Sequence, residues 1–283
     1  MSSYQSLGKV YLVGAGPGAA DLITVRGAKL LAQADIVFHD ALVEPEMLAL
    51  CPQAIKVPVG KRCGKLSSAQ YFINKRLVDA AQKYRIIVRL KGGDPMLFGR
   101  ADEEITALKA QGIEVEVVPG ITAALAGAAS LQKSLTLRGT SRSVAFITLA
   151  QAREGAENLT ASQPMANPTA DTLVYYMGRK DASKIAERLI EQGEIGGIHK
   201  QDTPVQILEA VSTSRERLWS GTLQALMDGK ADDWLDSNSP ALIMVGEALR
   251  AKQSKLSKSE SPSSEIDNSL QYSRVLASSR RRA

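Results

Sequence analysis

The sequence predicts an α/β fold made of two α/β domains. Strand-like apolar runs alternate with helical stretches along most of the 283 residues. Hydrophobic residues make up 44% of the chain and aromatic residues only 5%. The core must therefore consist mainly of Val, Ile, Leu and Ala, which is typical of parallel sheets covered by helices. Several apolar runs stop at glycine-rich loops, as strands do at the ligand-binding edge of an open α/β sheet.

The first half of the chain contains four predicted strands with helices between them. Each strand is a short run rich in β-branched or aromatic residues, and each helix is a longer amphipathic or small-residue stretch. The strands are at 10–13, 36–38, 86–90 and 115–118, and the helices are at 28–34, 69–83, 103–111 and 123–129.

The second half repeats this alternation without repeating the sequence. Its predicted strands lie at 143–148, 173–177, 205–208 and 241–245, and its helices at 182–192 and 223–227. Residues 150–171 lack periodicity and predict an exposed loop. We therefore expect an N-terminal domain at 8–133 and a C-terminal domain at 134–250.

The stretch from Ile86 to Glu104, IIVRLKGGDPMLFGRADEE, carries the most information. A buried strand that opens directly into Gly92-Gly93 exposes main-chain amides at the carboxyl edge of a sheet, where ligands bind. Asp94 precedes a proline, which fixes an extended exit from the loop. An ordinary turn between a strand and a helix is the alternative interpretation of this motif alone.

The charge, the cysteine spacing and the lengths of the apolar runs argue against several classes of function. Residues 251–283 carry +4 of the net charge of +5 and contain ten serines, so we expect a disordered tail and an almost neutral folded body. A neutral body argues against nucleic-acid binding. The two cysteines lack metal-ligand spacing, and no metal site is expected. Without a long apolar run, the chain is expected to be soluble and cytoplasmic, with no membrane partner.

The loop Gly14-Ala15-Gly16-Pro17-Gly18 resembles a dinucleotide-binding fingerprint, with Asp40 at a suitable distance. A nicotinamide-binding oxidoreductase is therefore one hypothesis. The Pro-Gly pair argues against it, because it indicates a turn rather than a helix that begins at the phosphate.

Six motifs in order resemble the tetrapyrrole methylase family and, within it, the uroporphyrinogen-III C-methyltransferases. Together they extend over roughly residues 8–249. The motifs are VYLVGAGPG (10–18), VRLKGGDPMLFGR (88–100), VVPGITAA (117–124), LTLRG (135–139), LVYYMG (173–178) and PALIMVGE (240–247).

This resemblance implies a class III methyltransferase fold, with S-adenosylmethionine in a cleft between the two domains and S-adenosylhomocysteine as the product. It also implies a homodimer that methylates uroporphyrinogen III at C2 and C7 to give precorrin-2. For Met177 alone, an ordinary core methionine is the alternative. The implied cofactor contacts are Pro17, Gly92, Gly93, Asp94, Thr122, Ala123, Met177, Ala210, Pro240, Ala241 and Leu242.

The resemblance further implies that Asp40, Arg100 and Glu103 lie around the macrocycle, where a base helps a proton to leave. Because the substrate is a polycarboxylate, cationic side chains are expected to bind it. The candidates are Lys61, Arg62, Arg100 and Arg138. A helix or loop cap is the alternative for Asp40, and a solvated surface charge is the alternative for each cation.

The chain departs from the family pattern at three positions. Leu66 and Leu137 stand where the family usually has histidine, and Ala210 stands where it commonly has asparagine. A related methylase that acts on another tetrapyrrole or on a macromolecule is therefore a second hypothesis. The basic tail allows an interaction segment that hands the product to the next enzyme, or simply a solubilising end.

Overall fold

The computed structural model describes residues 7–59, 66–149, 169–236 and 238–250, apart from the side chains of 66–69. These residues belong to one compact unit that ends at Arg250. The tail at 251–283 and most of the loop predicted at 150–171 lie outside the described residues.

The first sheet is entirely parallel, with the strand order β3-β2-β4-β1-β5. The strands β4 and β5 lie on either side of β1, so the carboxyl ends of these three strands are neighbours. The strands are β1 (Lys9–Gly14), β2 (Ile36–His39), β3 (Ile55–Pro58), β4 (Ile86–Lys91) and β5 (Val115–Val118).

Helices cover both faces of this sheet, because alternate strand residues point to opposite sides. One face buries Val10, Leu12 and Ile87 with α3 and α4, and the other buries Val13 and Val88 with α1 and α2. These helices are α1 (Val25–Leu31), α2 (Pro45–Leu48), α3 (Leu66–Ala81) and α4 (Ala101–Lys109).

The second sheet is mixed, with the strand order β6-β7-β10-β8-β9. Only β6 and β7 are parallel, whereas the other three pairs are antiparallel. Its strands are β6 (Val144–Thr148), β7 (Thr172–Tyr176), β8 (Pro204–Glu209), β9 (Arg217–Thr222) and β10 (Ala241–Gly246).

Three helices complete the second core: α5 (Ala123–Ser130), α6 (Ala182–Glu194) and α7 (Leu223–Met227). The apolar stripe of α6 and the short α7 cover one face of the second sheet. The small residues of α5 cover the other face, where a Cβ on Gly127 would lie 2.9 Å from the Met244 methyl group. The helix that follows the first sheet thus packs on the second, and links the two.

The predicted α/β fold with two sheets is confirmed. The sequence analysis missed β3, β9 and the short α2. It also favoured parallel sheets, whereas most of the second sheet is antiparallel. Within the part of the chain that the structure describes, no helix is long and apolar enough to cross a membrane.

Candidate active site

The loops that follow β1, β4 and β5 meet at the carboxyl edge of the first sheet. A Cβ on Gly120 would lie 2.3 Å from the Gly93 carbonyl oxygen, and one on Gly14 would lie 2.6 Å from the Gly120 Cα. Side chains are not tolerated at such distances, so Gly14 and Gly120 must be glycine. Gly93 also exchanges two main-chain hydrogen bonds with Gly16, of 2.7 and 3.2 Å. The three loops therefore form one continuous main-chain surface.

Asp94 holds two of these loops together. Its carboxylate accepts hydrogen bonds from the amides of Gly120 and Met96, each 2.8 Å long. This side chain is therefore directed towards the protein itself. Gly92 and Gly93 behave differently, because a Cβ on either would meet nothing within 4 Å. They leave an open cradle in which a ligand can approach the main chain closely.

Asp40 follows β2 at the same edge of the sheet. Its carboxylate accepts a hydrogen bond of 2.5 Å from the Arg89 guanidinium and one of 3.2 Å from the Gly92 amide. The side chain is 31% exposed, so one side is held by the protein and the other faces solvent. The neighbouring His39 has its Nδ1 3.2 Å from the Asp40 carbonyl oxygen. Asp40 thus caps the Gly92 loop and remains accessible to a ligand.

A buried ion cluster contacts Asp40 through Arg89. Arg89, Lys91 and Glu104 are all at most 3% exposed, and one oxygen of Glu104 lies 3.1 Å from each cation and 3.2 Å from the Gln70 amide. Burial lowers the pKa of Lys91, and the nearby Arg89 adds to that effect. Burial opposes the charge of Arg89, but Asp40 and Glu104 raise its pKa above the ordinary value. Burying a charge costs free energy unless the charge is paired. The fold therefore places these charges as partners of one another.

Arg100 and Glu103 form a bidentate pair at the start of α4. The guanidinium donates two hydrogen bonds to the carboxylate, of 2.6 and 2.8 Å. Phe98 and Arg100 both adopt a φ of 54°, in the left-handed region that is unfavourable for residues with a Cβ. Such strain concentrates at functional sites. Two residues that were predicted to face the substrate therefore contact each other in this loop.

The other predicted cofactor residues gather at one edge of the second sheet. Antiparallel pairing places Ala241 beside the last residue of β8 and Leu242 beside the last residue of β7. Met177 and Ala210 follow these two strand ends, and the Ala210 amide donates to the Pro240 carbonyl oxygen at 3.0 Å. Both residues have positive φ, 56° and 47°. Met177 is 55% exposed, so it is not an ordinary core methionine.

The two sheet edges face each other. The loop after β1, which contains Pro17, contacts the loop after β8: the Ala19 amide donates to Ser212 Oγ at 3.0 Å. A Cβ on Gly18 would lie 2.5 Å from the Thr213 methyl carbon. The loop that contains Pro17 thus contacts the loop that begins at Ala210, and Thr122 and Ala123 lie at the start of α5.

One aromatic contact and two hydrogen bonds also join Tyr176, the last residue of β7, to residues of the first half of the chain. Its hydroxyl lies 2.5 Å from Thr122 Oγ1 and accepts a hydrogen bond of 3.1 Å from the Ala124 amide. Its ring meets that of Phe98 edge to face, at 5.2 Å between centroids. Tyr176 therefore contacts both the start of α5 and the loop after β4.

Arg138 is placed elsewhere. It lies in a tight turn that Leu137 and Ser141 close by two main-chain hydrogen bonds, of 2.8 and 2.9 Å. Side-chain hydroxyls of Ser141 and Thr172 donate to the Leu135 carbonyl oxygen, which ties this turn to the start of β7. Met177 follows the opposite end of that strand. Because main-chain atoms close the turn, leucine at 137 is compatible with it.

Lys61 and Arg62 lie outside the described residues, and Leu66 is described only as the first residue of α3. The sequence analysis missed Arg89, Lys91, Glu104 and Tyr176. The signal for the first two was present, since two cations alternate within an otherwise apolar strand. Tyr176 carried no such signal, because its partners are 52 and 54 residues away.

The chain is similar to known proteins over most of its length. A family model described as Tetrapyrrole (Corrin/Porphyrin) Methylases matches residues 9–227. The siroheme synthase of Pseudomonas fluorescens (strain Pf0-1) is 42% identical over 247 residues, which are 87% of this chain and 51% of that protein. The chain thus spans about half the length of this relative.

Two solved structures align over most of their length. The uroporphyrin-III C-methyl transferase from Thermus thermophilus, complexed with S-adenosyl homocysteine, is 37% identical with a TM-score of 0.69; the alignment covers 86% of this chain and 94% of that one. A cobalt precorrin-4 methyltransferase is 27% identical with a TM-score of 0.69, and the alignment covers 86% and 96%.

Proposed function

Because the chain belongs to the tetrapyrrole (corrin/porphyrin) methylase family, we propose that it methylates uroporphyrinogen III at C2 and C7 to give precorrin-2. The chain is an S-adenosylmethionine-dependent tetrapyrrole methylase. The choice of substrate is the proposal, and its main support is the convergence of two sheet edges on one cleft that contains an ion-paired, accessible carboxylate. Similarity to the Thermus thermophilus uroporphyrin-III C-methyl transferase also favours it.

The cleft fits S-adenosylmethionine by the chemistry of its walls. Gly92 and Gly93 present main chain beside open space, although their amides already donate to Asp40 and to the Gly16 carbonyl oxygen. Ala241 and Leu242 lie at the start of β10, at the edge of the second sheet. The exposed Met177 adds a soft apolar contact. When bound, the cofactor supplies a sulfonium methyl group that an electron-rich pyrrole carbon can attack.

Asp40 is the proposed proton acceptor. Methylation of a pyrrole carbon leaves a proton that must be removed, and a positioned carboxylate can accept it. Arg89 and the Gly92 amide hold the carboxylate from one side, which leaves its exposed side for the macrocycle. The protein otherwise needs only to hold the reacting carbon and the methyl group in line.

Arg100 is the proposed anchor for a substrate carboxylate. Its bidentate pair with Glu103 is exposed to solvent, so a dissolved ligand can reach the guanidinium. A substrate carboxylate can therefore share or replace Glu103 as the partner of this guanidinium. We propose the same role for Lys61 and Arg62, but not for Arg138, which lies near the start of β7 and away from Met177. We also propose a homodimer located in the cytoplasm; analytical ultracentrifugation of the purified chain would test the dimer.

The substrate proposal is tested with methyl-labelled S-adenosylmethionine under anaerobic conditions. Uroporphyrinogen III should be labelled, whereas Asp40→Asn should reduce the rate by roughly 10²–10⁴-fold, the usual contribution of a general base. The matched control is Asp79→Asn, an exposed carboxylate on α3, which should keep the wild-type rate. Labelling of a different tetrapyrrole alone would contradict the substrate proposal, and binding of NAD without any methyl transfer would contradict the whole assignment.

A further inference from the structure

We propose that Tyr176 is a positioning residue, whose hydroxyl fixes the start of α5 against the end of β7 and so holds Thr122 and Ala123 in a set position relative to Met177. The inference rests on the proposed function, because the segments it joins are the ones assigned to S-adenosylmethionine. It assigns Tyr176 no direct contact with the reacting atoms.

The hydroxyl of Tyr176 completes the amino end of α5. The first amides of a helix have no partner within the helix and need one from elsewhere. Thr122 occupies the N-cap position, but its side chain does not cap the helix. Instead, Tyr176 accepts the hydrogen bond of the Ala124 amide at 3.1 Å and lies 2.5 Å from Thr122 Oγ1. A residue of the second sheet thus fixes the position of Thr122 and Ala123.

The ring of Tyr176 adds a second connection. It contacts Phe98 edge to face at 5.2 Å and Phe146 at 6.1 Å between centroids. Phe98 has a φ of 54°, a conformation that persists only where neighbouring groups stabilise it. Tyr176 also directly precedes Met177. One side chain, directly before Met177, therefore contacts the loop after β4, the start of α5 and β6.

The protonation state of the hydroxyl suits this role. Burial raises the pKa of Tyr176, and the hydrogen bonds with Thr122 and the Ala124 amide only partly offset that effect. The group therefore stays protonated at neutral pH, and it can donate to Thr122 while it accepts from Ala124.

Tyr175 provides a matched control on the same strand. Alternate residues of a strand point to opposite faces, and Tyr175 is 2% exposed in the core beneath α6. Its hydroxyl has no hydrogen-bond partner within the described part of the chain, and burial raises its pKa to about 12. Tyr175→Phe and Tyr176→Phe therefore remove the same atom from adjacent residues, but only the second change breaks hydrogen bonds with the start of α5.

The experiment titrates S-adenosylhomocysteine into the full chain and both variants by calorimetry, and measures KM for S-adenosylmethionine and kcat. We expect Tyr176→Phe to raise Kd and KM by roughly 5-fold to 30-fold, the effect of losing one to two hydrogen bonds. Its ring contacts remain, so Tm should stay within about 5 °C of the wild type. Tyr175→Phe should leave Kd and KM unchanged.

The inference would be overturned if Tyr176→Phe bound S-adenosylhomocysteine with the same Kd as the wild type. It would also be overturned if both variants lost affinity equally. Either result leaves the proposed function intact as long as the wild type binds S-adenosylhomocysteine and transfers methyl groups. Failure of the wild type to bind or transfer would instead contradict the proposed function.

Discussion

Replacing Arg89 by methionine should break the buried ion cluster while filling most of its volume. This side chain is 3% exposed and donates to Glu104 at 3.1 Å and to Asp40 at 2.5 Å. Removing one partner of a buried pair costs about 3–5 kcal/mol, because the remaining charge stays desolvated. Lys91 and Gln70 remain 3.1 and 3.2 Å from Glu104, so we expect the lower end, about 3 kcal/mol.

Scanning calorimetry of the purified chain measures this loss. In a compact unit of this size, about 3 kcal/mol lowers Tm by roughly 6–12 °C. The matched control is Lys9→Met. Lys9 also bonds two carboxylates, Glu114 at 2.6 Å and Glu116 at 3.0 Å, but it does so at the solvent-accessible opposite end of the sheet. The Tm of the Lys9→Met variant should stay within about 2 °C of the wild-type value. Equal Tm values for the two variants would refute the reasoning.

Three further changes test other parts of the account. Burial lowers the pKa of His199 below 6.5, so the unfolded chain binds the proton more tightly and stability should fall as pH drops from 7 to 5. His199→Gln should flatten this dependence of Tm on pH. Ala210→Gly should raise the free energy of unfolding by roughly 0.5–1 kcal/mol in a denaturant titration, because Ala210 has a φ of 47°, which is unfavourable for a residue with a Cβ. A lower free energy of unfolding would mean that packing of the Ala210 methyl group stabilises the fold by more than this backbone strain destabilises it. A Cβ at position 92 meets no other atom within 4 Å, so Gly92→Ala should keep the wild-type Tm. It should weaken S-adenosylhomocysteine binding at least tenfold, because the added methyl group fills the open space beside the main chain. An unchanged affinity would mean that the cofactor binds elsewhere.

Much of the fold could be predicted from hydrophobic patterns, and the exceptions have physical reasons. The strands that end at glycine-rich loops are buried and β-branched, so their pattern is strong. By contrast, β3 is largely exposed at the sheet edge, and β9 (RLWSGT) is exposed or half-buried throughout and has neither an apolar run nor a regular alternation. Direction of pairing leaves little trace in composition, so the antiparallel second sheet could not be distinguished from a parallel one.

The candidate site was predictable in part for a similar reason. Motifs at strand ends singled out Asp40, Gly92 and Met177. The structure brings Asp40 and Gly92 into contact at one sheet edge and places Met177 at an edge of the other sheet. The partner of Asp94 could not be predicted, because the Gly120 amide lies 26 residues away. The interaction between Tyr176 and α5 likewise depends on how α5 packs on the second sheet, which no local pattern indicates.

The most direct test of the account is the mass of the product formed from uroporphyrinogen III and S-adenosylmethionine by the wild-type chain. The cleft and its ion-paired Asp40 lead us to expect a macrocycle that carries two added methyl groups, with two equivalents of S-adenosylhomocysteine released. An unmodified macrocycle, from a chain that is folded and binds S-adenosylhomocysteine, would contradict the assignment of uroporphyrinogen III as the substrate.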